Sequence, residues 1–66
     1  SEIVKLETPI EGLTVIVSSL DGRTMETFSI NGVEHHLNVS NYEVGTYILS
    51  FYNGNGFFGE LRIVKI

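Results

Sequence analysis

The chain has 66 residues, of which 42% are hydrophobic and 18% are charged, so it lacks the low hydrophobicity and high charge of a disordered tail. Its net charge of −4 has the wrong sign for a phosphate-binding surface, and the lack of cysteine excludes disulfides and thiolate zinc sites. We therefore expect a single small domain over residues 1–66, stabilised by packing and sheet hydrogen bonds, with no nucleic-acid partner.

Short runs rich in β-branched and aromatic residues recur along the chain and end at turn-forming residues, which is typical of an all-β protein. The first run, Ile3–Glu7, ends shortly before Pro9, a residue that cannot donate a hydrogen bond to a neighbouring strand. The second run, residues 13–19, alternates apolar and polar side chains except at Ile16 and predicts a strand with one buried face. Asp21 and Gly22 then predict a type I′ hairpin turn, because both central positions of that turn need positive φ.

The strand that returns from this turn breaks its own alternation. Met25 is at an odd-numbered position, whereas Phe28 and Ile30 are at even-numbered positions, so a regular strand would point them to opposite faces. Either a β-bulge intervenes or both faces are partly covered, and we favour the bulge. Asn31 and Gly32 predict a second hairpin turn of the same type, which leads into the next strand.

Two adjacent histidines lie in the strand predicted over residues 33–39. Neighbouring side chains of a strand point to opposite faces, so His35 and His36 cannot hold one metal ion together in regular β geometry. We expect His35 to lie half-buried beside Leu37 and His36 to meet solvent on the same face as Glu34. No metal site is predicted.

The second half of the chain holds one turn and two further strands. Residues 40–43 have the form of a helix capping box, but Gly45 follows so closely that at most a single turn can form. Residues 46–52 carry apolar side chains on both parities, as in a central strand covered on both sides. Residues 53–56 turn the chain, and residues 57–66 form the last strand. We predict an all-β fold: a small antiparallel β-sandwich of about six strands.

Gly54, Gly56 and Gly59 match the spacing of the dinucleotide-binding fingerprint G-x-G-x-x-G. That fingerprint works only where the glycines open a helix, whereas the residues after Gly59 alternate as a strand. We interpret these glycines as part of a hairpin and predict no cofactor. The acidic residues are spread singly over turns and strands, and so small a chain leaves little room for a lined pocket, so we expect no enzyme.

Phe57 and Phe58 are the candidate partner-binding residues, together with Tyr52. Neighbours on a strand face opposite ways, so at least one phenylalanine of the pair points away from the core. An exposed Phe58 beside Tyr52 forms an apolar patch of the kind that binds a partner. Coverage of this patch by a parent chain or by the N-terminal strand is the competing interpretation.

Three pieces of sequence follow one another in a familiar order: a strand that ends in L-D-G at residues 20–22, G-T-Y-I-L at residues 45–49, and I-V-K at residues 63–65. This order resembles the C-terminal sorting domain of the type IX (Por) secretion system of Bacteroidetes. The last hairpin, with G-F-F-G-E at residues 56–60, equally resembles a group of small secreted Bacteroidetes proteins of unknown function with an immunoglobulin-like sandwich. The resemblance implies that fold and an exported location: the periplasm, the cell surface or the extracellular space.

From these observations we expect a non-catalytic exported interaction module, with a secretion-sorting domain as the sharper hypothesis. Residues 47–66 would present strand edges or aromatic side chains to a protein partner or to the parent chain. The alternative is a surface carbohydrate- or protein-binding module, in which Tyr52, Phe57 and Phe58 stack on sugar rings. We also expect weak self-association through strand edges and no membrane span, because no apolar run approaches about 18 residues.

Overall fold

The computed structural model describes residues 2–66 and contains only β-strands as regular elements over that range. The strands are β1 (Ile3–Glu7), β2 (Thr14–Ser19), β3 (Thr24–Ser29), β4 (Glu34–Asn38), β5 (Gly45–Asn53) and β6 (Gly56–Lys65). The predicted all-β fold is confirmed, and each strand lies within a few residues of its predicted position. None of the described residues belongs to a helix that is long and apolar enough to cross a membrane.

Two antiparallel sheets enclose one core. The large sheet has the strand order β3-β2-β5-β6, and the small sheet pairs β1 with β4. We call the face of the large sheet that is turned toward the small sheet its inner face. The buried core contains Leu6, Leu13, Val15, Val17, Ile30, Leu37, Val39, Tyr47, Leu49 and Phe51. Both sheets contribute to this core, which confirms the predicted sandwich.

The two central strands differ in how far the prediction holds. In β2, Val15 and Val17 are fully buried while the alternate residues are only half-buried, as the alternation predicts. In β5, Tyr47, Leu49 and Phe51 are buried on the inner face, but the outer side chains are half-buried rather than covered. The prediction of burial on both faces was wrong for β5, because the small sheet covers only one side.

The turn between β2 and β3 is a hairpin, but not of the predicted type I′. Gly22 has a φ of 91°, and no residue other than glycine has positive φ among the described residues. The Gly22 N–H donates to the Ser19 carbonyl at 3.0 Å, and the Ser19 N–H donates to the Arg23 carbonyl at 2.9 Å. These bonds close a longer loop that needs a left-handed residue only at its last position, so Asp21 keeps an ordinary φ.

Asn31 and Gly32 do not form a hairpin turn, because β3 and β4 belong to different sheets. Ile30 is fully buried, donates its N–H to the Leu13 carbonyl at 2.8 Å and accepts from Gly12 at 3.1 Å. The chain therefore stays with the large sheet through Ile30 and then crosses over. Crossing buries the apolar face of β4 against the large sheet, a gain that continued pairing beside β3 would not provide.

Two bulges adjust which side chains reach the core. The β2–β3 register shifts between Val17 and Ser18 and leaves Met25 as the extra residue, which confirms the predicted bulge. Met25 and Phe28 both pack against the core as a result. A second shift, between Phe51 and Tyr52, lies in the β5–β6 pair.

Candidate partner-binding surface on the last strand

The strand β6 is an edge of the large sheet, and its outer side pairs with no other strand of residues 2–66. Of the large apolar side chains exposed over that range, half belong to the last strand and the residue after it: Phe57, Phe58, Leu61, Val64 and Ile66. We call these side chains and the unpaired backbone of β6 the β6 surface. An edge strand of this kind is a template on which another chain can pair.

The second bulge determines where the predicted partner-binding residues lie. Phe57 is paired with Tyr52, and their ring centroids are 5.8 Å apart at an angle of 72°. Phe58 is the extra residue of the bulge and lines a groove with Pro9 and Phe51, on the inner side. The neighbour of Tyr52 is therefore Phe57 and not Phe58, contrary to the prediction. Phe57 is 61% exposed and Phe58 is 44% exposed, so both rings are accessible to solvent.

The groove beside Phe58 has a volume of about 250 Å³ and is open to solvent. Its apolar walls are formed by Pro9, Phe51, Phe58 and Leu61, and Glu7 and Glu60 are also among its lining residues. Gly59, also in the lining, is paired with Phe51 and has no side chain to fill the space beside that ring. An apolar side chain is the group that suits such a groove.

Lys65 lies at the end of β6 that is farther from the groove. Its side chain is only 11% exposed, and Nζ donates to the carbonyls of Val39 at 2.8 Å, Ser40 at 2.9 Å and Tyr42 at 2.7 Å. The Glu2 carboxylate lies 3.3 Å from the same nitrogen. An ammonium group has three N–H donors, so the three carbonyls saturate it. We call this arrangement the Lys65 clasp; it joins the end of β6 to the turn between β4 and β5.

The position of Lys65 in the alternation of β6 points to the Lys65 clasp, although we did not predict the clasp from it. Lys65 has the same parity as Leu61 and Ile63, the side chains of β6 that point toward the inner face. A lysine on the inward parity of a strand must find partners for its charge, since an unpaired buried ammonium is costly. Here the partners are backbone carbonyls of the turn, which no side-chain pattern indicates.

Two tyrosines also stabilise the turn between β4 and β5, to which Lys65 is hydrogen-bonded. The Tyr42 hydroxyl donates to the Glu26 carboxylate on β3, and the Tyr47 hydroxyl donates to the Glu43 carbonyl at 2.6 Å. The two rings lie 4.8 Å apart at an angle of 46°. Burial of the phenol and the neighbouring Glu26 carboxylate raise the pKa of Tyr42 well above its ordinary value. The single predicted turn at residues 40–43 is thus present, closed by a bond from the Tyr42 N–H to the Val39 carbonyl.

The histidines of β4 lie where the sequence predicted. His35 is half-buried and its ring stacks on Phe28, with centroids 4.5 Å apart. His36 is exposed, and its Nε2 lies 3.1 Å from the Glu34 carboxylate, which also approaches Lys5 at 3.6 Å. Within residues 2–66 no three potential metal ligands converge.

The comparisons with known proteins point to one family. A family model described as "Secretion system C-terminal sorting domain" matches residues 1–65. No curated protein and no solved structure matches the chain. Of the two groups that the sequence resembles, the match supports the sorting domains, and it extends over residues 1–65 rather than over the last hairpin alone.

Proposed function

Because the chain belongs to the family of secretion system C-terminal sorting domains, we propose that the export machinery recognises it at the β6 surface. The family has a sorting role: such a domain is a signal for export and not a catalytic domain. The observation that carries the proposal is that the free edge coincides with half of the exposed large apolar side chains, which lie on β6 and the residue after it.

Strand addition is the mode of recognition that suits this surface. A partner strand laid along β6 would form main-chain hydrogen bonds, while alternate side chains would enter the groove beside Phe58. Beyond the bulge, residues 59–65 keep a regular register with β5, so a continuous stretch of backbone is available. The groove then adds specificity, because its walls of Pro9, Phe51, Phe58 and Leu61 admit an apolar side chain.

The opposite edge of the large sheet supports the choice of β6. The strand β3 is shorter, and its exposed side chains are polar or charged: Thr24, Glu26, Thr27 and Ser29. Such edges discourage pairing with other chains. The β3 edge therefore carries the polar side chains of an edge that avoids pairing, whereas the β6 edge carries the apolar side chains of an edge that binds a partner.

On this proposal the protein is a non-catalytic interaction module, and its parent chain reaches the periplasm, the cell surface or the extracellular space. The carbohydrate-binding alternative has less support. The rings of Tyr52 and Phe57 meet at a steep angle, and Phe58 faces the other side of the sheet, so the three aromatics share no flat platform.

The test is export of a periplasmic reporter fused to the chain in a host that has a type IX system. We expect the wild-type fusion to reach the cell surface or the medium, and we expect Leu61→Asp, in the groove, to reduce this export by roughly tenfold. Ile3→Asp, an exposed apolar residue of β1, is the matched control and should export normally.

Both variants are first checked for folding by circular dichroism and thermal unfolding. Failure of the wild-type fusion to leave the periplasm would overturn the sorting role itself. Normal export of a folded Leu61→Asp fusion would leave the sorting role intact and overturn recognition at the β6 surface.

A further inference from the structure

The outer face of β6 carries two opposite charges at alternate positions. Glu60 is paired with Ser50 of β5 and Arg62 with Ile48, so neither charge has an opposite charge beside it on β5. Both residues are exposed, and neither takes part in the ion pairs found within residues 2–66. The free edge of the sheet therefore presents a negative and a positive group in fixed order.

This order is self-complementary. When two β6 edges pair antiparallel about a two-fold axis perpendicular to the sheet, outer side chains meet outer side chains. Centring the axis on Glu60 sets two glutamates opposite each other, and centring it on Arg62 does the same with two arginines. Centring it on Leu61 sets each Glu60 opposite the partner's Arg62, and opposite charges in a cross-strand pair stabilise, whereas like charges destabilise.

We propose that a second copy of this chain pairs with β6 in the register centred on Leu61. The two four-stranded sheets then become one continuous sheet. The inference rests on the charge order of β6 and stands without the proposed recognition by the export machinery, although a dimer covers the same edge.

Packing on the inner face favours the same register. Leu61, which is 46% exposed, lies opposite the partner's Leu61, so each side chain covers the other. Gly59 lies opposite the partner's Ile63 and leaves room for it, since no non-neighbouring atom of residues 2–66 lies within 4 Å of a Cβ built there. All of these residues belong to the regular part of β6, beyond the bulge.

The dimer is expected to be weak, because one strand edge with two charge pairs falls below the size of a stable interface. Its dissociation constant should lie on the order of 0.1 to 1 mM. Association at this strength depends strongly on protein concentration, and it should weaken in high salt because the charge pairs are exposed.

Sedimentation equilibrium of the 66-residue chain up to millimolar concentration tests the proposal through a charge exchange. Glu60→Arg alone sets arginines opposite arginines, and Arg62→Glu alone sets glutamates opposite glutamates, so each should weaken the dimer roughly tenfold. An equimolar mixture of the two single variants, and the double variant E60R/R62E, both recover opposite charges and should associate like the wild type. Glu11→Arg, the same change of charge in an exposed loop, should leave the dimer unchanged.

Circular dichroism establishes that each variant is folded before its mass is measured. A wild-type chain that stays monomeric at millimolar concentration overturns the proposal. So does a mixture of the single variants that associates no better than either alone, because recovery on mixing is what the register centred on Leu61 requires. Reporter export plays no part in this measurement, so its outcome is separable from that of the sorting proposal.

Discussion

The two ends of β6 differ in what their inward-facing side chains contact. Toward the chain terminus, Lys65 is nearly buried and holds three carbonyls of the turn between β4 and β5. Beside the bulge, Phe58 and Leu61 are exposed around an open groove. A strand that is fixed at one end and open at the other can present its binding groups in one orientation, which lowers the entropic cost of ordering them on binding.

The two ends of β6 also contain two kinds of residue. Side chains of the Lys65 clasp contribute to the free energy of unfolding, because their polar groups are satisfied within the fold. Side chains of the open end contribute less to it, because close to half of the surface of Phe58 and Leu61 is in contact with water in the folded chain. Substitutions in the Lys65 clasp should therefore mainly lower the free energy of unfolding, whereas substitutions at the open end should mainly weaken recognition by a partner.

The largest effect is expected from Lys65→Met, which removes the clasp but keeps the aliphatic stem. It leaves the Ser40 and Tyr42 carbonyls without the ammonium donor and the Val39 carbonyl with only the Tyr42 N–H, and we expect the free energy of unfolding to fall by about 2 to 3 kcal/mol. Urea denaturation followed by circular dichroism measures the change. Such a loss is a large fraction of the stability of a domain this small.

Lys5→Met is the matched control for this variant. The Lys5 side chain is 55% exposed and forms only surface ion pairs, so its loss should change the free energy of unfolding by less than about 1 kcal/mol. Equal effects of the two lysine substitutions would show that the buried position of Lys65 has no special weight.

A smaller effect on stability is expected from ionisation of the Tyr42 phenol at alkaline pH. Burial and the Glu26 carboxylate raise the pKa of the Tyr42 phenol above its ordinary value of 10.0. The stability that this shift represents is fully present below about pH 10 and is lost as the pH rises further, because the unfolded chain ionises first. Between about pH 9 and about pH 11, Tm should therefore fall more steeply for the wild type than for Tyr42→Phe.

Thermal unfolding of both proteins over this range checks the expectation. The difference between the two proteins, rather than either curve alone, reports on Tyr42. Parallel curves for the wild type and Tyr42→Phe would mean that the bond to Glu26 does not bear on the stability of this end.

Much of the fold follows from the period-two alternation of the sequence. The run at residues 13–19 predicted a one-sided strand, and the parity of Met25 against Phe28 predicted a bulge; both are confirmed. The crossing at Asn31 and Gly32 was predicted wrongly. An Asn-Gly pair is a local signal for a turn, whereas the sheet in which the next strand lies depends on where its apolar face can be buried.

The candidate site was predictable in composition but not in arrangement. The doublet of Phe57 and Phe58 predicted an exposed aromatic, because neighbours on a strand point to opposite faces. Which of them joins Tyr52 depends on the bulge at Phe51, and the last hairpin contains no break of alternation that shows it. Lys65 was missed because its partners are backbone carbonyls, which every residue has.

The smallest effect on stability is expected from Gly59→Ala, and this variant separates the two ends most sharply. Gly59 has no positive φ, and within the described part of the chain no non-neighbouring atom lies within 4 Å of a Cβ built on it, so alanine should change the free energy of unfolding by less than about 1 kcal/mol. That Cβ nevertheless lies on the inner face beside Phe51, in the groove that a partner side chain would enter. Reporter export should therefore fall while urea denaturation stays close to that of the wild type. Gly54→Ala, at the tip of the β5–β6 hairpin and outside the groove, is the matched control. If Gly59→Ala and Gly54→Ala export equally well, the open space beside Phe51 is not part of what the machinery recognises.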